Sequence, residues 1–477
     1  MYKAVAKARR RHHLALAIGG ATVSCILAAC GSGASSSAGG SSGKVTVTVW
    51  ADTGVGPTGA GPAPAGYKAI TAAFEKANPK IQIAWRNYSP KQDPSSYQTL
   101  LTAVAGGHGP DVAAIDRFLT YEFAQKGAIQ PIQPYLSSNS PVYAETKKIP
   151  GASFEQTVGG KLYGVTFPWQ AVGFWSLCYN KSMFAKANLR PPTTWSQVTA
   201  DAKALTKTKN GRYTQLGYEP YPIDDTEMWY YSQNNPIPLV SDGGNKANLT
   251  NADAVRAVKQ FVAVMDAEGG YAKVSKFANP TSTLPSQDPF YTGKAAMDAC
   301  GDWYLQTIAQ YYPKLPVGVV PLPNVDGGKS YGWAGGWSFQ IVKGAAHAKQ
   351  AAKFMQYLMT KPATEKFEAA YTAYNQKHHL PNVIIGAVTF MYPDIVRHDM
   401  SSLRQTSPDL YQAVNHFLSV PQTYSGVNAR PHTVAAGELF TDFNNAGIAA
   451  ALHEGSPAAE LGKQNTLLQG SINGDKG

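Results

Sequence analysis

The sequence is 477 residues long, 44% hydrophobic and 15% charged, with 42 Lys and Arg against 31 Asp and Glu. That length accommodates two or more domains, each with its own core, and the composition excludes a disordered chain. The net charge of +11 gathers into no dense basic stripe beyond the N-terminus, which argues against a nucleic-acid partner.

Lys3, Lys7, Arg9, Arg10 and Arg11 precede the first apolar run, and no acid occurs before Cys30. Without this segment 37 basic residues face 31 acids, a mild excess. The run, LALAIGGATVSCILAAC, is too short and too rich in small residues to read as a membrane span. It ends in Leu27-Ala28-Ala29-Cys30, which resembles the lipobox of bacterial lipoprotein signal peptides. The resemblance implies that residues 1–29 are a removed signal peptide and that Cys30 becomes an acylated N-terminus. Two acyl chains suffice for stable anchoring. Residues 30–43 then form a Gly/Ser-rich tether. Its G-x-S-x-G, Gly39 to Gly43, lacks the strand and helix that a nucleophile elbow requires.

Beyond the tether, KVTVTVW alternates at period two and predicts a strand. YKAITAAFEKANP places Tyr67, Ile70, Phe74 and Ala77 on one helical face, stopped by Asn78-Pro79. IQIAWRNY and PDVAAID read as strands, YQTLLTAVAGG and FLTYEFAQKG as helices, the last ending at Gly127. TTWSQVTADAKALTKT and NADAVRAVKQFVAVMDAEGG read as capped amphipathic helices. This rhythm predicts an α/β architecture with ligand chemistry beyond the carboxyl ends of the strands. GVGPTG, Gly54 to Gly59, copies the glycine spacing of a dinucleotide site. Pro57, Pro62 and Pro64 delay the following helix to about Tyr67, so the segment reads as a loop instead. His378-His379 point apart, and no H-E-x-x-H, paired C-x-x-C or P-loop occurs; neither a metal nor a cofactor is expected.

The stretch GYEPYPIDDTEMWYY, Gly217 to Tyr231, combines four carboxylates with five aromatic rings. Such a mixture either cleaves a glycosidic bond or grips a sugar without cutting it. Asp224-Asp225-Thr226-Glu227 has the spacing of a capping box, and Asp225 and Glu227 suit a helix N-terminus. Glu219 and Tyr221 are left for a ligand. Cys178 and Cys300 either pair or sit as separate buried thiols.

Three further segments carry a family pattern, in the family's order. GKLYGVTFPWQAVGFWSLCYNKSMFAKANLRPPTTWSQV, FYTGKAAMDACGDW, and the stretch from VGVVPLPNVDGG through YGWAGGWSFQIVKGAAHAKQAAKFMQYLMT resemble the extracellular solute-binding proteins of family 1. These are the substrate receptors of ABC importers for sugars and oligosaccharides. The resemblance implies an α/β, two-lobed periplasmic-binding-protein fold with the ligand in a cleft. One lobe would comprise residues 44–165 plus 321–371, the other 166–320 plus 372–477, with crossings near 164–169, 317–322 and 371–375. By motif, Asp116 and Arg117 would bind sugar hydroxyls, Glu219 and Tyr221 would add a carboxylate and a ring, and Trp303 would stack on a pyranose face. Gly335, Gly336 and Trp337 would line the cleft.

Trp50, Asp52, Trp169 and Trp229 are further candidates, with core packing an equal alternative for the three rings. No lysine follows Trp50-Ala51-Asp52, and Gly173 stands where maltodextrin receptors carry an acid, which counts against maltodextrin itself. The expected partners are a carbohydrate and an ABC permease with its ATPase, for a monomer anchored by lipid to the extracytoplasmic face of the cell membrane. Two alternatives stand beside this reading. One is a secreted carbohydrate-active enzyme, which needs two cleft carboxyls. The other is a receptor of the same fold for a polyamine, phosphodiester or metal chelate.

Overall fold

Two sheets organise residues 43–51, 55–88, 97–172, 174–220, 225–278, 285–324, 330–420 and 424–474, which the computed structural model describes. The strands β1 (Val45–Ala51), β2 (Ile81–Asn87), β3 (Val112–Asp116), β4 (Ile129–Gln130) and β5 (Gly164–Val165) come first. β6 (Ser176–Asn180), β7 (Lys207–Lys209), β8 (Arg212–Glu219), β9 (Ala295–Cys300) and β10 (Val317–Pro321) follow. β11 (Gly332–Trp333), β12 (Trp337–Val342) and β13 (Val427–Asn428) complete the set used below.

The first sheet has the order β2-β1-β3-β12-β4, with β5 also paired to β12. β1 runs parallel to β2 and β3, and β12 runs antiparallel to its neighbours. The second sheet has the order β10-β6-β9-β8-β7, in which β8 and β9 are parallel. Each sheet is the centre of one α/β lobe. The chain leaves the first sheet after β5, builds the second, and returns at β12.

Local chemistry explains most of the elements. β1 buries Val47 and Val49 by alternation. The helix after it runs Pro62–Ala77, five residues earlier than the prolines suggested. Pro62 and Pro64 occupy the first turn, where amide donors have no intrahelical acceptor and a fixed φ suits the helix. The segment expected as one helix before Gly127 begins instead with a 3₁₀ turn, Arg117–Leu119, and continues as Thr120–Gln125. The helix Trp195–Leu205 opens with a full capping box. The Gln197 amide donates to Thr194 Oγ1 at 3.2 Å, and the Thr194 amide donates to Gln197 Oε1 at 3.2 Å. Asn251 Oδ1 caps Ala252–Ala267 by accepting from the amides of Asp253 and Ala254 at 3.0 and 2.9 Å. The cap proposed for Asp225–Tyr231 involves Asp224, which lies outside the described residues.

Cys178 on β6 and Cys300 on the adjacent β9 form a disulfide, which resolves the alternative left open by the sequence. The segments joining the lobes run side by side. The Trp175 amide donates to Trp333 O at 3.2 Å and the Ala387 amide to Gln170 O at 2.8 Å. Gly336 has φ +101°, and a Cβ there would stand 2.3 Å from Ala171 O. Any side chain at 336 would both strain the backbone and push two connecting segments apart. Among the described residues no helix is long and apolar enough to cross a membrane.

Glu268 illustrates a buried acid with a measurable pH signature. Its Oε1 accepts from Thr206 Oγ1 and from the amides of Gly217 and Tyr218 at 2.7, 2.8 and 3.0 Å. Burial nevertheless outweighs these donors and pushes its pKa from the ordinary 4.5 to about 7. The folded state therefore holds the proton more tightly than the unfolded state. The resulting stability is fully present below about pH 4.5 and is lost as pH rises through about 7. Glu268→Gln keeps the Oε1 acceptor and should remove a pH-dependent component of ~3 kcal/mol from the difference between pH 4 and pH 8, measured by urea unfolding.

Candidate functional site

Four of the predicted residues lie at the carboxyl ends of the parallel strands: Trp50 is the penultimate residue of β1, Asp116 ends β3, Glu219 ends β8, and Trp303 follows β9. An Asp116-centred group forms first. The Asp116 amide donates to Tyr97 Oη at 3.0 Å. Tyr97 packs with Trp50 in one apolar cluster, which Trp337 borders. The guanidinium of Arg86 lies over the Trp50 ring at 4.7 Å.

A charged cluster adjoins this group. Arg430 reaches Asp116 Oδ1 with Nη2 at 2.9 Å, and it holds Glu155 through Nε and Nη2 at 2.6 and 3.0 Å. Arg117 Nε meets Glu155 Oε2 at 3.0 Å, with both side chains fully buried. The Arg117 amide donates to Gly336 O at 3.0 Å, and the Arg430 guanidinium lies against Gly335. Burial by itself would depress the Arg430 pKa, but Asp116 and Glu155 together outweigh it and hold the side chain protonated. Burial pushes the Asp116 carboxyl above its usual range, with Arg430 opposing. Asp116 is thus the ligand-facing candidate of the pair, at 13% side-chain exposure. The Arg117 side chain is fully buried, with Nε against Glu155 and Nη2 donating to Pro150 O at 3.3 Å, so in this structure it braces Glu155.

An aromatic run leads away from Arg430. Its guanidinium lies 5.4 Å from the Trp333 ring centroid. Trp333 stacks on Tyr231 at 5.8 Å and on Trp175 at 5.6 Å, and Trp175 meets Trp303 edge-on at 5.0 Å. Tyr231, Trp333 and Trp175 are buried, whereas Trp303 is only partly so. Gly301-Asp302-Trp303 has a physical logic at each position. A Cβ on Gly301 would stand 1.9 Å from the Trp303 ring, so glycine is what lets the ring fold back. Asp302 Oδ2 accepts from the Val172 amide at 3.3 Å, tying the crossing segment to the helix Trp303–Tyr311.

Other predicted residues sit elsewhere. Trp229 is completely buried and stacks on Trp195 at 3.6 Å, so it is a core residue of the second lobe rather than a ligand contact. Trp169 stacks on Phe367 at 4.3 Å and edge-on against Tyr67, which engages its face. Glu219 is buried, and its Oε2 accepts from the Phe290 amide at 2.7 Å, beside the carboxyls of Asp288 and Asp298. Cys30, Asp52 and Tyr221 lie outside the described residues. Sequence reasoning missed Tyr97, Glu155, Trp175, Trp333 and Arg430. The two tryptophans lay inside the family segments already quoted, but Glu155 and Arg430 belong to no motif.

The family of bacterial extracellular solute-binding proteins matches residues 59–365, well over half of the chain. A multiple sugar-binding protein of Streptococcus mutans is 26% identical over 318 residues, 63% of this chain and 69% of that protein. The mannobiose-bound structure of the protein CpMnBP1 aligns with a TM-score of 0.68 at 26% identity, covering 89% of this chain and all of that one. The sugar-binding protein MalE of Xanthomonas citri aligns with a TM-score of 0.66 at 20% identity, covering 91% and 98% of the two chains. The two-lobed architecture and the family match converge: the chain belongs to the bacterial extracellular solute-binding proteins.

Proposed function

We propose that this protein is the substrate receptor of an ABC importer, binding a di- or oligosaccharide between its lobes and releasing it unaltered to a permease. The observation that carries the reading is the aromatic run from Trp333 through Trp175 to partly exposed Trp303, which starts at Arg430, the residue that fixes the Asp116 carboxylate. A pyranose presents apolar C–H faces and a rim of hydroxyls. The ring covers a face, and a charged acceptor fixes the rim with hydrogen bonds of roughly 1.5–3 kcal/mol each. A few such contacts, offset by ordering costs, supply the ~8 kcal/mol of micromolar affinity. The names of the relatives, which concern sugars, support the same ligand class.

Closure about the bundled connecting segments follows as the mechanism. A ligand held by the first lobe favours the closed state by whatever it gains from the second. Anchoring through Cys30 and a monomeric receptor complete the proposal. Hydrolysis is disfavoured by the engagement of the acids. Asp116 is paired with Arg430, and Asp298 accepts from Tyr304 Oη at 2.7 Å. The experiment is calorimetric titration of wild type and Trp303→Ala with disaccharides and trisaccharides. Loss of the stacking face should weaken the bound sugar ~10–100-fold, on the order of 1.5–3 kcal/mol, with little change in melting temperature. Unchanged affinity would remove Trp303 from the site.

A further inference from the structure

A second pocket, of about 520 Å³, opens between the helices Lys361–Lys377 and Pro393–Asp399 and shares no residue with the Asp116–Trp303 site. Its ionisable lining comprises four carboxylates, Glu365 and Glu368 from the first helix and Asp394 and Asp399 from the second, together with His398. The arrangement of the acids is graded. Glu365 and Asp394 are exposed, Asp399 is half-buried, and Glu368 is only 4% exposed. Lys361 Nζ occupies Asp394 Oδ2 at 2.6 Å. Neither Oε1 nor Oε2 of Glu368 has a hydrogen-bond donor. Burial, reinforced by Asp399, pushes the Glu368 pKa well above the usual carboxylate range. A buried acid without a donor is costly, and its position at the base of an acid-lined opening gives it a use.

We propose that this pocket binds an aliphatic polyamine, one ammonium group pairing at the base with Glu368, which releases its proton to solvent on binding, and a second held by the acids nearer the rim. The volume lies in the range of small-molecule sites and far exceeds a metal ion. Metal chemistry also fits poorly. A divalent cation gathers several oxygens within one coordination shell, and the acids here do not converge so closely. Acids distributed from rim to base suit instead a chain bearing separated positive charges.

The test is calorimetric titration of spermidine into the full chain, with the uncharged triethylene glycol as control, for wild type, Glu368→Gln and Asp399→Asn. The Gln variant preserves the shape of the neutral acid, so it should fold as the wild type does by circular dichroism and thermal melting. Spermidine should bind wild type, with at least tenfold weakening in Glu368→Gln and partial weakening in Asp399→Asn. The control should not bind, and saturating sugar should leave spermidine affinity unchanged. Equal spermidine affinity in wild type and Glu368→Gln, absence of binding, or displacement by sugar would each overturn the assignment. Because sugar titrations of the same variants report separately on the cleft, failure here is distinguishable from failure of the receptor reading.

Discussion

Replacing Arg430 with alanine is expected to cost about 3–5 kcal/mol of folding stability, the largest single-residue loss foreseen in this molecule. The reason lies in what is left behind. Arg430 is 3% exposed in its side chain and satisfies one oxygen of Asp116 and both of Glu155. Arg117 remains beside Glu155 after the substitution, but Asp116 loses its ion pair in a buried setting. The cost is therefore chiefly that of stranding a charge, not the net worth of the pair. Removing the stranded charge tests this. Asp116→Asn combined with Arg430→Ala should lose ~1–3 kcal/mol less than the two singles together in a urea-unfolding cycle. Additive losses would mean that Arg430 stabilises through its packing on Phe118 and Trp333 instead.

The second large effect concerns the Cys178–Cys300 bridge, whose ends are separated by 122 residues. Closing so long a loop restricts the unfolded chain strongly, and chain-entropy arguments assign such a crosslink ~4–5 kcal/mol, with native bridges commonly worth about 2–5 kcal/mol. Both cysteines are fully buried on neighbouring strands of the second sheet. Cys178→Ala with Cys300→Ala should fold to the same two-lobed structure with a stability lower by ~2–5 kcal/mol in non-reducing buffer. Addition of dithiothreitol to unfolded wild type before refolding should give the same deficit. A loss below about 0.5 kcal/mol would show that strand pairing alone already restrains this sheet.

What the sequence made legible follows the range of the interactions involved. Period-two alternation placed β1, because a strand with one buried face shows it in alternate residues. Capping residues Thr194 and Asn251 located two helix starts, since each cap bonds amides two or three residues away. The early start at Pro62 was missed because proline blocks a helix interior but suits its first turn. Trp303 was singled out only by the resemblance of its GDW segment to a family motif, whereas the roles of Gly301 and Asp302 emerge from contacts in the folded chain.

The charged cluster was not readable. Arg430 meets Glu155 and Asp116 across separations of 275 and 314 residues, and nothing local in either stretch announces the contact. Trp229 shows the converse ambiguity. An aromatic beside acids on a helix reads alike whether it faces a cleft or a core, and here Trp195, thirty-four positions earlier, takes its face. Glu219 was assigned to a ligand by its family motif and by elimination of its acidic neighbours. The backbone amide of Phe290, 71 positions downstream, engages it instead.

The central claim is that the protein holds a sugar without altering it. Its most direct test is to titrate the purified protein with a panel of di- and trisaccharides of different linkage, then recover the ligand and examine it by chromatography. The account predicts saturable binding of one linkage class at micromolar or tighter affinity, near one sugar per chain, with the recovered sugar unchanged in length. Absence of binding across the panel, or recovery of the bound sugar as shorter fragments, would contradict it.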